Sequence, residues 1–559
     1  GYNAGRIGDR RHVCPRHVHD ATSIQVMIAQ DPSLIQALQD AALYDHPVAG
    51  FRVIETHISW VLLTGPYAYK IKKAVDLGFL DFSTLDRRRH YCEEELRLNR
   101  RLAPALYRDV VTITGTPARP ALNGTGAALE YAVRMIQFDP AQQFDHLLAA
   151  GRLTPELLAR FAAGLARFHA AAARATAGDH YGTPAAVSEP VEENFAQIRL
   201  PPEFPVETAL LRELHDGSAR AGAALRPALE RRKAGGHVRE CHGDLHLGNI
   251  TLHGGEPLAF DCLEFNDRLR WIDVMSEIAF LVMDLDAHGH ADLGLGFLNE
   301  YLHHSGDYAG LVLLRYYQAY RALVRAKVES IRLRQSGATA AAAFDALRAY
   351  IRLARDYLRP RPRALVITRG PSGSGKTTHT NALLAPCAMI RARSDVERKR
   401  LFGYTPEART QSGRDAGLYS ADAGARTYRR LEELAAAIID AGFTALIDAT
   451  FLKAAQRAPF RALAARLGVP FLILDFRADA AVLRSRVEAR MRVGRDASEA
   501  TPGVLNRQMD TQEALTTEES ADAIMIDTGQ PVDVAALAAE INRRIAQHIG
   551  DGLDVWGQT

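Results

Sequence analysis

Two short motifs in the sequence carry residue types suited to phosphate chemistry. The first, at residues 242–249, reads HGDLHLGN and places His242, Asp244 and Asn249 at the spacing H-x-D-x-x-x-x-N. The second, at residues 370–377, reads GPSGSGKT and satisfies the pattern G-x-x-x-x-G-K-T. The two patterns are typical of two different ways of moving the terminal phosphate of ATP. The sequence therefore predicts two kinase-like modules in one chain.

The first motif offers what phosphoryl transfer to a hydroxyl group requires. Such a transfer needs a carboxylate near the attacking oxygen and oxygen ligands for the Mg²⁺ ions that bridge the phosphates. Asp244 suits the first role and is a predicted catalytic residue. Asn249 suits the second role, and so does Asp261, which follows two short predicted strands. A purely structural interpretation makes the same stretch a polar turn in which His242 is a hydrogen-bonded core residue.

The second motif predicts a phosphate-binding loop between a strand and a helix. It follows the apolar residues 365–367 and opens a helical stretch, which is the context that such loops have. Backbone N–H groups and the positive end of the helix bind phosphate oxygens, Lys376 reaches the β and γ phosphates, and Thr377 binds Mg²⁺. The predicted nucleotide-binding residues are Gly370, Ser372, Gly373, Ser374, Gly375, Lys376, Thr377 and Thr378.

Charged residues after later predicted strands complete this second module. Asp395 and Arg398 follow its second strand, where an aspartate takes the hydroxyl proton of the acceptor and an arginine binds an acceptor anion. Asp448 ends the third strand and is a predicted Mg²⁺ ligand beside Thr377. Asp395 and Lys376 are the predicted catalytic residues of this module.

Three arginines flank a predicted lid at residues 492–503. Closure of the lid would bring the positive charge of Arg486, Arg490 and Arg495 onto the transferring phosphate. In an arginine-rich chain, a solvated helix face explains the same residues equally well.

Both motifs resemble those of known kinase families. Residues 242–261 are similar to the catalytic loop and metal-binding aspartate of the aminoglycoside phosphotransferase family, which shares the protein-kinase fold. Residues 260–262 stand where protein kinases have the sequence DFG, and the resemblance covers about residues 40–350. It assigns Asp273 a largely structural role. The D-x-x-R pair that begins at Asp395 resembles that of P-loop kinases of the polynucleotide kinase and gluconate kinase-like group.

The whole sequence resembles bacterial fusion proteins labelled as aminoglycoside phosphotransferase-like and ATP-binding, of the AAA family ATPase type. The fold class implied is an α+β protein-kinase-like (aminoglycoside phosphotransferase) domain followed by an α/β P-loop kinase domain with a parallel sheet. The implied cofactors are ATP and Mg²⁺. The label describes a fold and not a substrate, because such folds phosphorylate sugars, choline, amino acids and antibiotics.

A kinase-like N-lobe also needs a strand lysine for the nucleotide phosphates and a helix glutamate that holds it. Ala68 and Lys70 share one face of a predicted strand, which reproduces part of that signature, and Lys72 on the same face is the second candidate. Three glutamates occupy residues 93–95 of the next predicted helix. Glu95 has the best spacing to the apolar positions and is the predicted partner.

The predicted helix at residues 316–334 carries a cluster of basic side chains. Arg321, Arg325 and Lys327 on this helix indicate an anionic acceptor, with Arg321 and Arg325 as predicted substrate-binding residues. An antibiotic kinase needs an acidic cleft for a polycation instead. Aminoglycoside resistance is therefore only an alternative function.

The domain boundary is predicted at two prolines, Pro360 and Pro362, which break a long helical pattern. Beyond them, apolar runs alternate with helical stretches, which is typical of a parallel sheet with helices on both faces. We predict an N-terminal extension and first helix at 1–40, a kinase-like domain at 41–358 (N-lobe about 41–138, C-lobe about 139–358), a linker at 359–363, a P-loop domain at 364–550 and a tail at 551–559.

Composition bounds the partners and the compartment. The net charge is +2, so no global field draws the chain to nucleic acid or to an anionic membrane. The five cysteines lack CxxC spacing, which suits a reducing cytoplasm, and no apolar run is long enough to span a membrane. We expect a cytoplasmic protein with no membrane partner and leave its oligomeric state open.

Three functional hypotheses follow. The first is a two-site ATP-dependent kinase acting on hydroxyls of small molecules, some of them anionic. The second is a regulatory protein in which one or both modules bind ATP without chemistry. The third gives the second module alone a nucleic-acid 5′-hydroxyl as acceptor, which predicts salt-sensitive oligonucleotide binding near Arg398.

Overall fold

A computed structural model describes residues 26–27, 32–78, 80–202, 204–335, 340–408, 420–493 and 501–550. The chain packs as two compact units. Unit 1 comprises residues 1–100, 104–137 and 264–266, and unit 2 comprises residues 101–103, 138–263 and 267–559. None of the helices in the described residues combines the length and the apolar character that a membrane crossing requires.

Unit 1 is built on a six-stranded antiparallel sheet with the strand order β2-β3-β4-β8-β6-β7, and β1 pairs with β5 beside it. Its strands are β1 (Val26–Met27), β2 (Arg52–Glu55), β3 (Ser59–Leu63), β4 (Tyr67–Lys72), β5 (Val75–Asp76), β6 (Tyr107–Thr116), β7 (Arg119–Leu122) and β8 (Ala128–Ile136). Its helices are α1 (Pro32–Ala37), a 3-10 turn (Ala41–Leu43) and α2 (Leu85–Asn99).

Local sequence explains the elements that matter for a site in unit 1. The turn between β3 and β4 contains Gly65 at φ 102°, a left-handed conformation that glycine adopts without strain. Thr84 caps α2, because its side chain accepts a hydrogen bond from the Arg87 amide. The buried face of α2 includes Glu95 and packs on β8 and β6. A carboxylate is thereby carried against the central strands.

Unit 2 begins with a mostly helical half that contains two pairs of short strands near the predicted catalytic loop. We call residues 138–263 and 267–358 the helical half. Its helices are α3 (Phe144–Ala149), α4 (Pro155–Ala171), α5 (Pro184–Gln197), α6 (Pro205–Ala234), α7 (Asp267–Arg270), α8 (Val274–Ala287), α9 (Ala291–Ser305), α10 (Leu311–Gln335) and α11 (Ala340–Leu358). Its strands are β9 (Val238–Glu240), β10 (Ile250–His253), β11 (Glu256–Ala259) and β12 (Trp271–Asp273), and its 3-10 turns are Pro140–Gln142, Leu247–Asn249 and Tyr308–Gly310.

The second half of unit 2, residues 364–550, is the P-loop half. It holds a five-stranded parallel sheet with the order β14-β15-β13-β16-β17. Its strands are β13 (Leu365–Arg369), β14 (Met389–Arg393), β15 (Thr444–Asp448), β16 (Phe471–Arg477) and β17 (Ala523–Asp527). Its helices are α12 (Lys376–Leu383), α13 (Ser394–Leu401), α14 (Ala421–Asp440), α15 (Ala454–Leu467), α16 (Ala480–Val493), α17 (Pro502–Thr511), α18 (Thr517–Asp522) and α19 (Val534–Gly550).

The fold-class prediction is confirmed for both parts of the chain. Beyond the two prolines, five parallel strands alternate with helices, as the sequence predicted, and residues 359–363 lie between α11 and β13. Burial nevertheless continues across this linker. One hydrophobic cluster joins Leu311 and Leu314 of α10 to Ile438 of α14 and Ile367 of β13. The two halves of unit 2 therefore share a core.

Candidate active sites

The glycine-rich loop of the P-loop half connects β13 to α12 and requires glycine for steric reasons. Gly370, Gly373 and Gly375 have φ values of 145°, 84° and 80°. A Cβ atom on Gly370 would lie 2.5 Å from the Phe476 carbonyl oxygen, and one on Gly373 would lie 2.7 Å from the Leu483 carbonyl oxygen. Because backbone occupies that space, the loop leaves no room for side chains.

The side chain of Lys376 reaches back to the start of this loop. Its Nζ donates hydrogen bonds to the carbonyl oxygens of Gly370 and Pro371, both at 2.8 Å. Burial lowers the pKa of Lys376 to about 8, although the carboxylates of Asp448 and Asp395 oppose that shift. Lys376 is thus a cation at the loop that loses its proton more readily than an exposed lysine does.

Thr377 and Asp448 form an oxygen pair next to the lysine. The Thr377 hydroxyl donates to Asp448 Oδ2 at 2.9 Å, and Arg393 Nε lies 3.9 Å from the same carboxylate oxygen. Hydroxyl and carboxylate oxygens are the ligands that Mg²⁺ prefers. The donor set therefore fits that ion.

A cavity of about 580 Å³ opens above the loop and gathers most of the predicted residues of this half. The predicted residues in its wall are Ser372, Gly373, Gly375, Lys376, Thr377, Thr378, Asp395, Arg398, Asp448, Arg486 and Arg490. Gly370 and Ser374 belong to the loop beneath it, and Ser374 is buried. Arg398 Nη1 donates to Asp395 Oδ1 at 3.2 Å, so the predicted acceptor pair is in contact.

The three predicted lid arginines have different surroundings. Arg486 donates to the hydroxyl and the carbonyl oxygen of Thr528, at 3.0 and 2.7 Å, so it is anchored to the loop after β17. Arg490 lines the cavity. Arg495 lies outside the described residues. Lid closure stays a prediction.

Three further residues of this cavity were not identified from the sequence. Arg393 ends β14, and its position at the carboxyl end of a parallel strand was the available signal. Gln508 Oε1 accepts the Ser372 amide at 2.8 Å. The Tyr428 hydroxyl accepts the Phe451 amide at 3.3 Å. Gln508 and Tyr428 lie on helices remote in sequence from the loop, so no local pattern marks them.

The HGD loop of the helical half is held through its backbone. The amides of His242 and Gly243 donate to Glu277 Oε2 at 2.7 and 2.8 Å. His242 Nδ1 accepts the Asp244 amide at 3.3 Å, so its Nε2 carries the proton and donates to the Phe260 carbonyl oxygen at 2.8 Å. Burial lowers the pKa of His242, which keeps the ring neutral. The histidine thus shapes the loop.

Asp244 and Asn249 are in direct contact. Asn249 Nδ2 donates to the Asp244 carbonyl oxygen at 3.0 Å and to its Oδ2 at 3.2 Å. Burial works against the charge of Asp244, but the hydrogen bond and charge of His246 outweigh it and lower the pKa of Asp244 to about 2. Asp244 is therefore ionised at neutral pH.

Asp261 follows a residue that is tied to the same loop. The Phe260 amide donates to the Asn249 carbonyl oxygen at 2.9 Å. The carbonyl oxygen of Phe260 accepts from His242. Asp261 has φ 62°, in the left-handed region that aspartate tolerates better than most residues. Hydrogen bonds thus link the loop that carries Asp244 and Asn249 to the residue before Asp261. The side-chain oxygen atoms of these three residues suit Mg²⁺.

Glu277 of α8, which binds the amides of the HGD loop, was not identified from the sequence. Its Oε1 lies 3.0 Å from His169 Nε2, and His169 Nδ1 lies 2.9 Å from the Tyr301 hydroxyl. Burial opposes its charge, but His169 and the loop amides lower the pKa of Glu277. An acidic residue in the otherwise apolar first turns of α8 was the available signal.

The structure places Arg321 against the catalytic loop. This side chain is 4% exposed, and it donates to the Gly243 carbonyl oxygen at 3.2 Å and the Ser276 carbonyl oxygen at 3.3 Å. Arg325 is half-buried, with its guanidinium 5.9 Å from the centre of the Tyr350 ring. Acceptor binding by Arg321 and Arg325 stays a prediction.

Two lysines and two glutamates form an ion cluster in unit 1. Lys70 Nζ lies 2.9 Å from Glu95 Oε1, and Lys72 Nζ lies 2.7 Å from Glu95 Oε2 and also binds Glu264. The Lys70 side chain is 13% exposed, whereas that of Lys72 is 1% exposed. Burial opposes the charge of Glu95, but the two lysines lower its pKa to about 2. Lys70 is therefore the more accessible cation.

The neighbouring glutamates have other partners. Glu93 pairs with Arg89 at 2.9 Å and Glu94 with Arg97 at 2.8 Å, both on the surface of α2. Only the third glutamate of the run points to the lysines. Glu264 lies far from this helix in sequence, so no spacing could have indicated it.

Two family models match successive parts of the chain. The model of the "Phosphotransferase enzyme family" matches residues 79–323, and that of the "AAA domain" matches residues 365–515. The second match begins at β13 and includes the loop, Asp395 and Asp448.

Among curated proteins, an uncharacterized protein of Mycobacterium tuberculosis H37Rv and one of Mycobacterium bovis are each 32% identical over 471 residues. Each alignment covers 83% of this chain and 92% of the relative. The shared sequence therefore extends over both modules.

Solved kinase structures resemble each module. Amicoumacin kinase hAmiN is 16% identical, with 58% of this chain and 93% of that chain covered and a TM-score of 0.38. A gluconokinase from Sinorhizobium meliloti 1021 is 20% identical, with 36% and 100% covered and a TM-score of 0.24.

The two family models identify a phosphotransferase-family domain followed by an AAA domain, which supports phosphotransferase activity. The protein belongs to the family of these mycobacterial relatives.

Proposed function

We propose that the chain is an ATP-dependent phosphotransferase with two separate sites, each transferring the γ-phosphate of ATP to a hydroxyl group of a small molecule. One observation carries the proposal. In each half of unit 2, a carboxylate suited to the incoming hydroxyl lies close to residues whose oxygen atoms suit Mg²⁺. In the P-loop half these are Asp395 with Thr377 and Asp448. In the helical half they are Asp244 and Asn249, which touch.

In the P-loop half, Lys376 would bind the β and γ phosphates while Thr377 and Asp448 hold Mg²⁺. The bound ion would neutralise charge on the phosphate oxygens. Asp395 accepts the proton of the acceptor hydroxyl, and Arg398 orients the acceptor from the next turn of α13.

The charge of the cavity wall supports an anionic acceptor for this half. The wall carries five cationic side chains, Lys376, Arg393, Arg398, Arg486 and Arg490, and two carboxylates, Asp395 and Asp448. The positive charge left after the two carboxylates is subtracted is larger than the charge needed to neutralise a magnesium-bound nucleotide. We therefore expect an acceptor that carries a phosphate, sulfate or carboxylate group.

In the helical half, Asp244 receives the hydroxyl proton, and Asn249 and Asp261 would hold Mg²⁺. Glu277 fixes the loop through the amides of His242 and Gly243, so the carboxylate of Asp244 is positioned before substrate arrives. Lys70, which forms an ion pair with Glu95, is the proposed phosphate-binding cation of unit 1.

A labelled-ATP screen tests the proposal. Wild type, Lys376→Ala and Asp244→Ala are incubated with pooled hydroxylated metabolites, anionic and neutral, and with 5′-hydroxyl oligonucleotides. We expect two sets of labelled products, one lost in each variant. Nucleotide binding without any labelled product in all pools would support the regulatory alternative, and labelled oligonucleotide would identify nucleic acid as the acceptor of the P-loop half.

The lowered pKa of Lys376 predicts a pH dependence for nucleotide binding. The phosphates bind the protonated ammonium, and its pKa is about 8 before nucleotide binds. Affinity of the P-loop site for MgATP should therefore be constant below about pH 7 and fall by up to about tenfold per pH unit above 8.

Titrations between about pH 6.5 and 9.5 check this expectation. Lys376→Arg is the matched variant, because a guanidinium stays protonated throughout that range. An equal pH dependence in the wild type and in Lys376→Arg would contradict the assignment.

A further inference from the structure

The edge strand of the P-loop sheet is completed by side chains of the helical half. Among the described residues, strand β14 pairs with β15 alone. Edge strands leave backbone polar groups without sheet partners. Asn299 of α9 supplies both kinds of partner. Its Nδ2 donates to the Met389 carbonyl oxygen at 3.1 Å, and its Oδ1 accepts the Arg391 amide at 2.9 Å.

A second side chain extends this pairing. The Tyr308 hydroxyl, from the 3-10 turn after α9, donates to the Arg391 carbonyl oxygen at 2.9 Å. Asn299 is 6% exposed and Tyr308 is 2% exposed, so these hydrogen bonds are shielded from water. The backbone of Arg391 is thus fixed on both its amide and its carbonyl side.

The side chain of Arg391 reaches the nucleotide loop. Its Nη1 lies 3.4 Å from the Thr377 carbonyl oxygen and 3.3 Å from the Thr380 hydroxyl, where it donates to α12. Thr377 is the residue whose hydroxyl contacts Asp448. Arg391, whose backbone is bound by side chains of the helical half, therefore donates a hydrogen bond to the threonine of the proposed Mg²⁺ site.

The end of α9 also contacts the helix that carries the acceptor residues. Arg400 of α13 donates from Nη2 to the His303 carbonyl oxygen at 2.7 Å. Gly306 ends α9 at φ 70°, and a Cβ atom there would lie 2.6 Å from Arg400 Nε. Because α13 begins directly after β14 and carries Asp395, both ends of this segment are fixed from the helical half.

We infer that Asn299 and Tyr308 are positioning residues of the P-loop site. They act through Arg391 on the backbone of Thr377 and on the strand that ends beside Asp395. The inference rests on the proposed function of this site. Its consequence is that the phosphotransferase-family module supplies part of the structure that the second site needs to bind MgATP.

Binding measurements on the full chain test the inference. Tyr308→Phe removes one hydroxyl and keeps the ring, and Asn299→Leu removes both amide hydrogen bonds. The dissociation constant of the P-loop site is taken from the binding that Lys376→Ala abolishes, first with Mg²⁺ and then with EDTA. Because the contact bears on the Mg²⁺ ligand Thr377, we expect MgATP to bind about five- to twentyfold more weakly in both variants. Binding of metal-free ATP should change less than about twofold.

Tyr357→Phe is the matched control. Tyr357 is 4% exposed and loses one hydrogen bond, to Asp286, without contacting β14. It should leave both dissociation constants unchanged. Hydrogen exchange gives a readout besides binding: the amides of residues 389–393 should exchange faster in Tyr308→Phe than in Tyr357→Phe.

The outcomes separate the two proposals. If wild type has no binding that depends on Lys376, the proposed function fails and this inference with it. If that binding exists but Tyr308→Phe leaves the MgATP affinity unchanged, the inference alone is overturned. Equal weakening of MgATP and of metal-free ATP also overturns it, since a general loss of structure would produce that result.

Discussion

Asp244→Asn is expected to slow phosphate transfer by the helical half by about 10²–10³-fold, while its affinity for MgATP changes less than about threefold. The substitution keeps the shape of the side chain and an oxygen for the contact with Asn249, but it removes the negative charge that receives the hydroxyl proton. A low pKa, about 2, means that this charge is fully present at neutral pH in the wild type. The loss should therefore fall on kcat.

Single-turnover transfer of labelled phosphate to an acceptor from the screen measures this effect, and nucleotide titration measures affinity separately. Asp267→Asn is the matched control, because Asp267 is an exposed partner of Arg270 on α7, and it should leave kcat unchanged. The rate of the wild type should not fall between about pH 8 and 5 through Asp244, since its carboxylate stays ionised there. A kcat for Asp244→Asn close to that of the wild type would refute the assigned role.

The candidate site of the P-loop half could be located from sequence because its residues follow the strands of a parallel sheet. Lys376 and Thr377 come directly after β13, Asp395 after β14, and Asp448 ends β15. In a parallel sheet the carboxyl ends of the strands meet at one edge, so residues far apart in sequence converge there without further information. The cavity in the structure contains all four of them.

The residues that support the sites were harder to predict. Glu277 binds the HGD loop from 34 residues away, and Asn299 binds β14 from 92 residues away. Such partners are set by how helices pack, and packing leaves no regular spacing in the sequence. A buried polar residue on an otherwise apolar helix is the most that a single sequence offers, because burial forces such a group to find a partner.

The linker shows the same limit in another form. The two prolines follow the end of α11, and residues 359–363 lie between α11 and β13. Local composition carries no information on whether the flanking parts share a core. The cluster that joins Leu314 to Ile438 arises from apolar faces of α10 and α14 that each pattern alone would assign to its own domain.

Arg232→Met is expected to produce the largest loss of stability of any substitution considered. Arg232 of α6 is 4% exposed and donates four hydrogen bonds, at 2.6–2.8 Å, to the carboxylates of Asp273 and Asp307. Asp273 is 3% exposed and also caps α8, whose first residues include Glu277. Without the guanidinium, two carboxylates are buried with no cation between them, and breaking such an ion network costs about 3–5 kcal/mol.

Thermal unfolding of the full chain checks this expectation. We expect the midpoint to fall by about 3–6 °C for Arg232→Met. Arg226→Met on the same helix is the control: its side chain is 66% exposed and pairs only with Glu230, at 3.8 Å, so the midpoint should move by less than about 2 °C. The further substitution Asp307→Asn removes one of the two uncompensated charges and should restore part of the loss. Equal midpoints for Arg232→Met and Arg226→Met would mean that the buried network contributes no more than a surface pair, and the structural role of Asp273 would then need another explanation.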